Sequence, residues 1–331
     1  MTPQFHPSLV NDPFDDPAVY VDFLYERRAL LFDLGDIRAL SPRKILRITH
    51  IFISHTHIDH FIGFSQVIRL CLGREKSLHL FGPPGFIARV EHSLASFTWN
   101  LVESYPTDFT VVAVELHPDG TGNSAEFHCQ SGFRREQEQT GQVAGGIILD
   151  EDGFRIRAAF LDHKTVSLAF ALEEKDHVNI MKNRLLELGL PTGPWLADLK
   201  RAIMRGEDDD KPFRVWWHGE AGTEERRFTL GELKSTILNI VPGQRIAYVT
   251  DAANTPANAA KIVELARGAD FLFIEAAFLD AEQAQASERH HLTARQAGLL
   301  ARKAGVARVI PFHFSPRYQG MEEALLRELG T

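Results

Sequence analysis

The 331-residue sequence has only two cysteines, Cys71 and Cys129, and neither has a Cys-x-x-Cys partner. This shortage argues against a disulfide framework and against a metal site built from thiolates, because both need several cysteines at characteristic spacings. A chain without disulfides is typical of the reducing cytosol, so we expect a cytoplasmic protein.

Long apolar runs are also missing. The longest candidates, Ala29–Leu34 and Phe271–Phe278, have the length of a strand, whereas a membrane span needs about 20 apolar residues. The segment Met1–Pro17 carries acidic residues and prolines but no basic stretch followed by an apolar one, so no secretory signal is visible. We therefore expect no membrane association.

An excess of basic residues is the third absence. The chain has 36 Lys and Arg against 44 Asp and Glu, a net charge of −8. Affinity for nucleic acid comes mainly from Lys and Arg that neutralise phosphates. Composition alone therefore favours a small-molecule enzyme, and RNA binding would need a local basic cluster or the charge of a metal centre.

Hydrophobic residues, at 44% of the chain, are sufficient for a buried core. Short apolar strands alternate with helix-length segments, which predicts an α/β layered fold. The pattern predicts a helix over Phe61–Leu72. The strands most relevant to function are predicted at Ile48–Ser54, Phe154–Leu161, Arg245–Thr250, Phe271–Ala276 and Val306–Phe312.

One region interrupts this alternation. Between about residues 175 and 241 the pattern is mixed, with a Pro/Gly cluster, an acidic run at Glu207–Asp210 and the adjacent Trp216 and Trp217. Such a stretch is typical of an insertion. We predict one domain over residues 1–331, with residues 175–241 forming an inserted substrate-binding arm and its flanks.

The strongest motif is the run from His55 to His60, which follows the predicted strand Ile48–Ser54. It places four metal-ligand residue types within six positions: His55, His57, Asp59 and His60. Neutral imidazoles and carboxylates suit Zn²⁺, and such sites also accept Mn²⁺ or Fe²⁺. A surface loop that is histidine-rich by chance is the weaker explanation.

Three further ligand types stand at the ends of predicted strands. Singly, His163 could be a loop histidine, Asp251 a turn or helix cap, and His313 a half-buried core residue. With the first motif they complete two coordination shells. We predict that His55, His57 and His163 hold one zinc ion, that Asp59, His60 and His313 hold the other, and that Asp251 bridges them.

Two metal ions so placed predict phosphodiester hydrolysis. They lower the pKa of a shared water and clamp a phosphate, and the resulting metal-bridging hydroxide attacks phosphorus. Asp59 can orient this hydroxide or accept its proton. His291, backed by Glu275, is a candidate proton donor to the leaving oxygen, although His290 and His291 could equally cap the helix that follows.

These residues resemble a known family. The run from His55 to His60 resembles the HxHxDH signature of the metallo-β-lactamase superfamily. Further segments are similar to those of ribonuclease Z, the tRNA 3′-endonuclease, over nearly the whole chain: Ser41–Ile45, Ala159–His163 with Ser167–Phe170, Pro242–Asp251, Ile274–Ala276 with His291–Thr293, and His313–Tyr318.

The resemblance implies a four-layer αβ/βα sandwich, two Zn²⁺ per subunit, a homodimer, and removal of the 3′ trailer from precursor tRNA. Leu188–Leu196 resembles the family's flexible arm, which grips the tRNA. The substrate-binding residues implied there are Gly193 and Pro194, with a flanking basic set that could equally be the polar face of two helices: Lys182, Arg184, Lys200 and Arg201.

Three positions depart from the family pattern. Asp36–Leu40 replaces a Gly-Glu-Gly-Thr-Gln-like stretch, Thr250-Asp251-Ala252 replaces Gly-Asp-Thr, and Phe312 replaces a threonine. They leave two alternatives open. One is a dinuclear-zinc phosphodiesterase for small diesters such as cyclic nucleotides or aryl phosphates, and the other is a non-catalytic RNA-binding relative.

Overall fold

Two units make up the chain in the computed structural model, which describes residues 4–24, 26–219 and 222–330. The first unit comprises residues 1–151, 155–173 and 244–331, and the second comprises residues 152–154 and 174–243. Residues 220 and 221 of the predicted arm lie outside the described residues.

The strands, in chain order, are Phe5–Leu9 (β1), Val19–Phe23 (β2), Ala29–Phe32 (β3), Ile48–Phe52 (β4), Lys76–Gly82 (β5), Phe109–Leu116 (β6), Thr121–His128 (β7), Arg135–Gln142 (β8), Ile147–Asp150 (β9), Phe154–Asp162 (β10), Val166–Glu174 (β11), His177–Ile180 (β12), Pro212–Gly219 (β13), Gly222–Thr229 (β14), Leu238–Val241 (β15), Arg245–Val249 (β16), Phe271–Glu275 (β17) and Arg308–Phe312 (β18).

The α-helices are Pro42–Ile45 (α1), Ile58–Phe61 (α2), Phe64–Cys71 (α3), Phe86–Ala95 (α4), Lys182–Glu187 (α5), Trp195–Met204 (α6), Leu230–Ile237 (α7), Pro256–Leu265 (α8), Gln283–Arg289 (α9), Ala294–Ala304 (α10) and Glu322–Gly330 (α11). Short 3₁₀ turns occur at Val102–Ser104, Ala144–Gly146, Asp280–Glu282 and Pro316–Tyr318. Among the described residues, no helix is both long and apolar enough to cross a membrane.

The first unit is built on two sheets. One has the order β1 to β8, and its neighbours from β3 to β6 are parallel because helices connect them. The other has the order β18-β17-β16-β11-β10-β9, in which β16, β17 and β18 are parallel. In both sheets the strand order follows the chain order from one edge to the other.

Side-chain alternation divides each strand between two layers. Phe32 of β3 packs on Phe170 of β11 at 5.8 Å and on Tyr248 of β16 at 5.7 Å, and Phe52 of β4 packs on Phe170 at 5.7 Å between ring centroids. These rings join the two sheets face to face. The sheets are therefore stacked on an aromatic layer.

The alternate residues of the same strands face helices. Leu31 and Ile51 share a buried cluster with α3 and α4, whereas Ala247 and Val249 share one with α8 and α10. The order is helix, sheet, sheet, helix. The predicted four-layer sandwich is confirmed.

The second unit has regular elements where the sequence pattern looked mixed. Strands β12 and β15 pair antiparallel, and β13 and β14 form a hairpin. Helices α5, α6 and α7 complete the unit around the buried side chains of Trp195, Val215, Leu230 and Leu233. Its role as a substrate-binding arm stays a prediction.

The predicted helix Phe61–Leu72 is instead divided into α2 and α3. A Cβ at Gly63 would lie 2.5 Å from the carbonyl oxygen of Gly35, so the chain here is pressed against the loop that follows β3. Two backbone hydrogen bonds fix the contact, from Leu34 to the His60 carbonyl at 3.0 Å and from Gly63 to the Leu34 carbonyl at 2.9 Å. This contact positions the short helix that carries Asp59 and His60.

His50 on β4 predicts a pH dependence of stability. Its ring stacks on His79 with 4.9 Å between centroids. Burial, reinforced by the charges of His79 and Arg28, lowers the pKa of His50 to about 3. The unfolded chain takes up this proton near pH 6.5 and the folded chain does not, so the free energy of unfolding falls as the pH drops below 6.5.

We expect the His50→Gln variant to lose about 1 kcal/mol less stability than the wild type between pH 7.5 and 5.5. Urea denaturation at both pH values measures this difference. His6→Gln, at an exposed position on β1, should keep the wild-type dependence. Equal losses in the wild type and His50→Gln would contradict the prediction.

Candidate metal centre

The predicted ligands follow strands of the two sheets and meet within the first unit. His55 and His57 follow β4, His163 follows β10, Asp251 follows β16 and His313 follows β18. In the structure they form sets whose potential ligand atoms all lie within 4.8 Å of one another. The donor sets among the described residues are His55, His57, His163 and Asp251; Asp59, His60 and His313; and Asp251, Glu275, His291 and His313.

Asp251 faces two of these sets with different oxygens. Its Oδ2 lies 3.5 Å from His55 Nε2 and 3.2 Å from His163 Nε2. Its Oδ1 lies 3.5 Å from His60 Nε2 and 3.3 Å from His313 Nδ1. One buried carboxylate thus stands between the two groups of histidines.

Asp59 completes the group around His60 and His313. Its Oδ2 lies 3.3 Å from His60 Nε2 and 3.3 Å from His313 Nε2. The Asp59 side chain is 33% exposed, whereas that of His60 is fully buried. Asp59 is therefore the carboxylate of this group that a substrate can reach.

Glu275 connects the predicted proton donor to the Asp251 loop. Its Oε2 accepts a hydrogen bond from His291 Nδ1 at 2.7 Å, and its Oε1 accepts one from the backbone N–H of Ala252 at 2.7 Å. The predicted pairing of Glu275 with His291 is thus present as a contact. This bond leaves His291 Nε2 as the ring nitrogen available to another group.

Asp33 is a residue that the sequence reasoning missed. Its fully buried carboxylate accepts hydrogen bonds from His60 Nδ1 at 2.7 Å, from the Ser54 backbone at 2.6 Å and hydroxyl at 2.7 Å, and from the Tyr248 hydroxyl at 2.7 Å. Because Ser54 donates to Asp33, its oxygen accepts from His55 Nδ1 at 3.1 Å. The available signal was an aspartate placed directly after a buried apolar strand.

The consequence of this network is tautomer selection. His55 and His60 both carry their proton on Nδ1, so the Nε2 lone pair of each faces the carboxylates. His163 is fixed in the same way, since its Nδ1 donates to the His290 carbonyl at 2.8 Å. Such outer contacts are the usual means of orienting histidine ligands.

A divalent metal fits this donor set. Among the described residues, the buried His55 Nε2, His60 Nε2 and His313 Nδ1 have no hydrogen-bond partner. Buried polar atoms without partners are rare because the loss of hydration is costly. Imidazole nitrogens and carboxylate oxygens in this arrangement suit zinc, manganese or iron.

The electrostatics of the centre favour a bound cation. Burial, reinforced by the neighbouring His60, lowers the pKa of His55 to about 2, so its imidazole is neutral. Burial also disfavours a charged His313, but Asp251, Asp59 and Glu275 outweigh it and raise its pKa to about 10. The carboxylates thus favour a positive charge at the centre. A bound metal ion supplies this charge and leaves the imidazoles neutral.

The backbone at the centre is held in unusual conformations. Positive φ values occur at Asp33 (55°), Asp251 (44°), His290 (59°) and His313 (58°). Non-glycine residues of this kind cost about 1–3 kcal/mol each and persist where the surroundings impose them. Each residue lies at a turn that aims a group at the centre, either a side chain or, for His290, the carbonyl.

A cavity of about 290 Å³ opens at the centre and is lined by Asp59, His291 and His313. Asp15, Asp16 and Arg289 also line it. The stretch Asp36–Leu40, which differs from the family pattern, does not contribute to this lining. Its Ile37 and Leu40 are buried in the core of the first sheet.

Side chains of the loop that follows His313 hold that loop in place. The Tyr318 hydroxyl donates to Glu282, and Arg317 donates to Glu282 at 3.0 Å and to Gln285 at 2.6 Å. The Arg317 guanidinium also lies 5.3 Å from the Phe278 ring centroid. These contacts tie the segment after His313 to the segment that leads to His291.

The predicted substrate-binding residues lie in the second unit, and none of them belongs to a donor set. Arg184 pairs with Glu187 at 2.7 Å and Arg201 pairs with Asp198 on its own helix. Lys182 is exposed and Lys200 half-buried, and neither has an ion pair among the described residues. Gly193 and Pro194 lead into α6, where a Cβ on Gly193 would lie 3.0 Å from the Trp195 ring.

Comparisons with solved structures agree with the fold. The short form of human tRNase Z has a TM-score of 0.51 at 18% identity, covering 96% of this chain and 93% of its own. The metallo-β-lactamase fold protein YhfI from Bacillus subtilis has a TM-score of 0.52 at 12% identity, covering 98% and 92%. At these identities the likeness concerns the fold.

Sequence comparisons identify the relatives. The profile of the β-lactamase superfamily domain matches residues 220–314. Ribonuclease Z of Deinococcus radiodurans is 27% identical over 97% of this chain and 92% of its own length. Ribonuclease Z of Limosilactobacillus fermentum is 30% identical over 90% of this chain and 81% of its own. With the fold and the histidine-aspartate centre described above, these matches place the chain in the ribonuclease Z family of the metallo-β-lactamase superfamily.

Proposed function

We propose that this chain removes the 3′ trailer from precursor tRNA, as a phosphodiester hydrolase that uses two zinc ions per subunit. The main support for two metal ions is the geometry of Asp251, whose two carboxylate oxygens face separate groups of histidines. The relatives named ribonuclease Z supply the class of substrate. The reaction is hydrolysis of the phosphodiester that joins the tRNA to its trailer.

His55, His57 and His163 would hold one ion, Asp59, His60 and His313 the other, and Asp251 would contact both. Manganese or iron could replace zinc in such a site. When bound, a metal pair acidifies a water molecule and neutralises the charge on the phosphate that is attacked. Side chains of the protein would orient the water and carry out the proton transfers.

Asp59 is suited to handle the attacking water. It borders the cavity, and its carboxylate is anchored by His313 and His60, so its orientation is fixed while part of it is exposed. It can orient the water and accept its proton as the bond to phosphorus forms.

His291 is suited to protonate the leaving oxygen. Burial disfavours a charged imidazole, but the nearby Glu275 and Asp251 outweigh it and raise the pKa of His291. The ring lines the cavity, and its Nδ1 is occupied by Glu275. The departing ribose 3′ oxygen would therefore take its proton from Nε2.

The second unit would grip the tRNA body. Lys182 and Lys200 offer free charge to phosphates, whereas Arg184 and Arg201 would have to share theirs with Glu187 and Asp198. Gly193 and Pro194 would shape the turn before α6.

We also propose that the protein is a cytoplasmic homodimer. The homodimer is supported by exposed apolar side chains on the first unit: Ile58, Ile62, Phe97 and Leu101.

A second candidate is a phosphodiesterase for small diesters. The neutralised Arg184 and Arg201 favour it, as does the net charge of −8. The two functions share the metal centre and differ in the use of the second unit. A test therefore has to remove that unit and keep the centre.

Strands β12 and β15 allow such a deletion, because Ile180 and Leu238 are cross-strand partners. An Asn-Gly turn can replace residues 181–237 and close the two strands as a hairpin. We expect trailer removal from precursor tRNA to fall by about 100-fold or more, since several phosphate contacts are lost. Hydrolysis of a small chromogenic phosphodiester should stay unchanged.

The full-length chain, assayed on both substrates, is the control. If it cleaves only the small diester, and the deletion has no effect, the tRNA assignment fails and the metal centre stands. If the deletion abolishes both activities, a circular dichroism spectrum decides whether the first unit still folds.

A further inference from the structure

We infer that Tyr248 on β16 and Thr250 directly after it are positioning residues. Through their hydroxyls they align the metal ligands that come from one sheet with those that come from the other. The inference rests on the proposed metal centre. It concerns residues that make no contact with the substrate cavity and that act through the carboxylates of Asp33 and Asp251.

Tyr248 acts on Asp33. Its hydroxyl donates to Asp33 Oδ2 at 2.7 Å, the same oxygen that accepts from His60 and from the Ser54 hydroxyl. An ionised carboxylate only accepts, so the tyrosine must be the donor. Both side chains are buried, and no solvent competes for the bond.

The origin of Tyr248 gives this bond its importance. Asp33 directly follows β3, whereas Ser54 and His60 lie in the segment after β4, so all three come from the side of the first sheet. Tyr248 is the donor that comes from the second sheet, on the strand that leads to Asp251. The bond therefore links the orientation of His60 to the strand that presents Asp251.

Thr250 acts on Asp251. Thr250 directly follows β16 and lies two positions after Tyr248. The Thr250 hydroxyl donates to Asp251 Oδ1 at 2.8 Å, the oxygen that faces His60 and His313. It fixes the rotation of a carboxylate whose own backbone has a φ of 44°.

Alignment of this kind is needed because the ligands come from both sheets. A metal site requires its donors within about 0.5 Å of the productive arrangement. The aromatic layer between the sheets sets their spacing but is made of nondirectional contacts. The two directional hydrogen bonds, from Tyr248 on β16 and from Thr250 directly after it, fix the orientation of the ligands, which such packing leaves open.

The variants are Tyr248→Phe and Thr250→Val, which remove one hydroxyl each and keep the shape. Tyr20→Phe is the matched control, because Tyr20 is also buried and its hydroxyl donates to the Lys44 carbonyl at 3.3 Å, among residues outside the donor sets. Zinc affinity is measured by competition with a chromophoric chelator, using Zn²⁺ alone.

We expect zinc affinity to fall by about 10- to 100-fold in Tyr248→Phe and in the same direction in Thr250→Val, as for other residues that orient metal ligands. Tyr20→Phe should bind zinc like the wild type. The visible spectrum of the Co²⁺-loaded protein should change in both site variants, because it reports ligand geometry. On precursor tRNA, kcat should fall and KM should stay unchanged.

Unchanged zinc affinity and cobalt spectra in both site variants would overturn the inference. An equal loss in Tyr20→Phe would also overturn it, since the effect would then reflect general stability. A wild-type chain that bound no zinc would remove the proposed metal centre and this inference together. Wild-type binding without a variant effect removes the inference alone.

Discussion

Asp59→Ala should lower kcat/KM for trailer removal by about 10⁴-fold or more, because this one side chain belongs to a donor set and borders the cavity. Its loss leaves His60 and His313 without the carboxylate that both face at 3.3 Å. The same variant should also lose activity on a small phosphodiester, because the defect lies in the chemical step. Cleavage assays with both substrates measure it.

Asp15→Ala is the matched control. Asp15 also lines the cavity but belongs to none of the donor sets among the described residues. Its removal takes one negative charge from the path of a polyanionic substrate, so activity should be kept or increased. Metal content is measured in parallel by mass spectrometry. An Asp59→Ala protein that cleaves at a tenth of the wild-type rate would contradict the assignment.

His291→Ala should lower kcat for trailer removal by about 10²- to 10⁴-fold, the usual contribution of a positioned general acid. The size of the loss should depend on the leaving group. A ribose oxygen needs a proton as it departs, whereas a nitrophenolate departs without one. The variant should therefore retain most of its activity on a nitrophenyl diester.

His290→Asn separates this role from that of the neighbouring residue. The His290 carbonyl accepts a hydrogen bond from His163, the two rings lie 6.4 Å apart between centroids, and asparagine tolerates the φ of 59° at position 290. We expect activity close to wild type. Equal losses for His291→Ala on both substrates would show that the ring positions a ligand and does not deliver a proton. Glu275→Gln should resemble His291→Ala, since Glu275 holds the ring.

The sequence was sufficient for the layered fold and for the cluster at the centre. The run from His55 to His60 combines several ligand types, and buried strands precede His163, Asp251 and His313. A strand end is a rigid place from which to aim a side chain. The structure brings all of these residues together, and their metal-binding and catalytic roles stay predictions.

Asp33 could not be found in this way. An aspartate after an apolar strand looks like any residue that ends a strand, and its importance depends on partners 21 and 215 residues away, Ser54 and Tyr248. Tyr248 likewise reads as one more apolar residue of a buried strand. Local patterns do not report which buried polar groups will meet across two sheets.

The strand β8 could not be predicted from the sequence pattern because its side chains are polar. The sequence of β8, Arg135–Gln142, is polar throughout and exposed over most of its length. It lies at the edge of the first sheet, where only one neighbour pairs with it. Without an apolar face it shows no alternation, so backbone pairing alone defines it as a strand. Polar edge strands of this kind also discourage association with other sheets.

The division of the donor sets between the two sheets has a consequence for biosynthesis. Asp59 and His313 are 254 residues apart in the chain, and the donor set that holds both combines a residue that follows β4 of the first sheet with one that follows β18 of the second. A nascent chain therefore cannot complete this donor set until β18 has been added and has paired with β17. Synthesis up to β17 would therefore leave the proposed metal centre unfinished, and the activity that depends on it would appear only once β18 has folded.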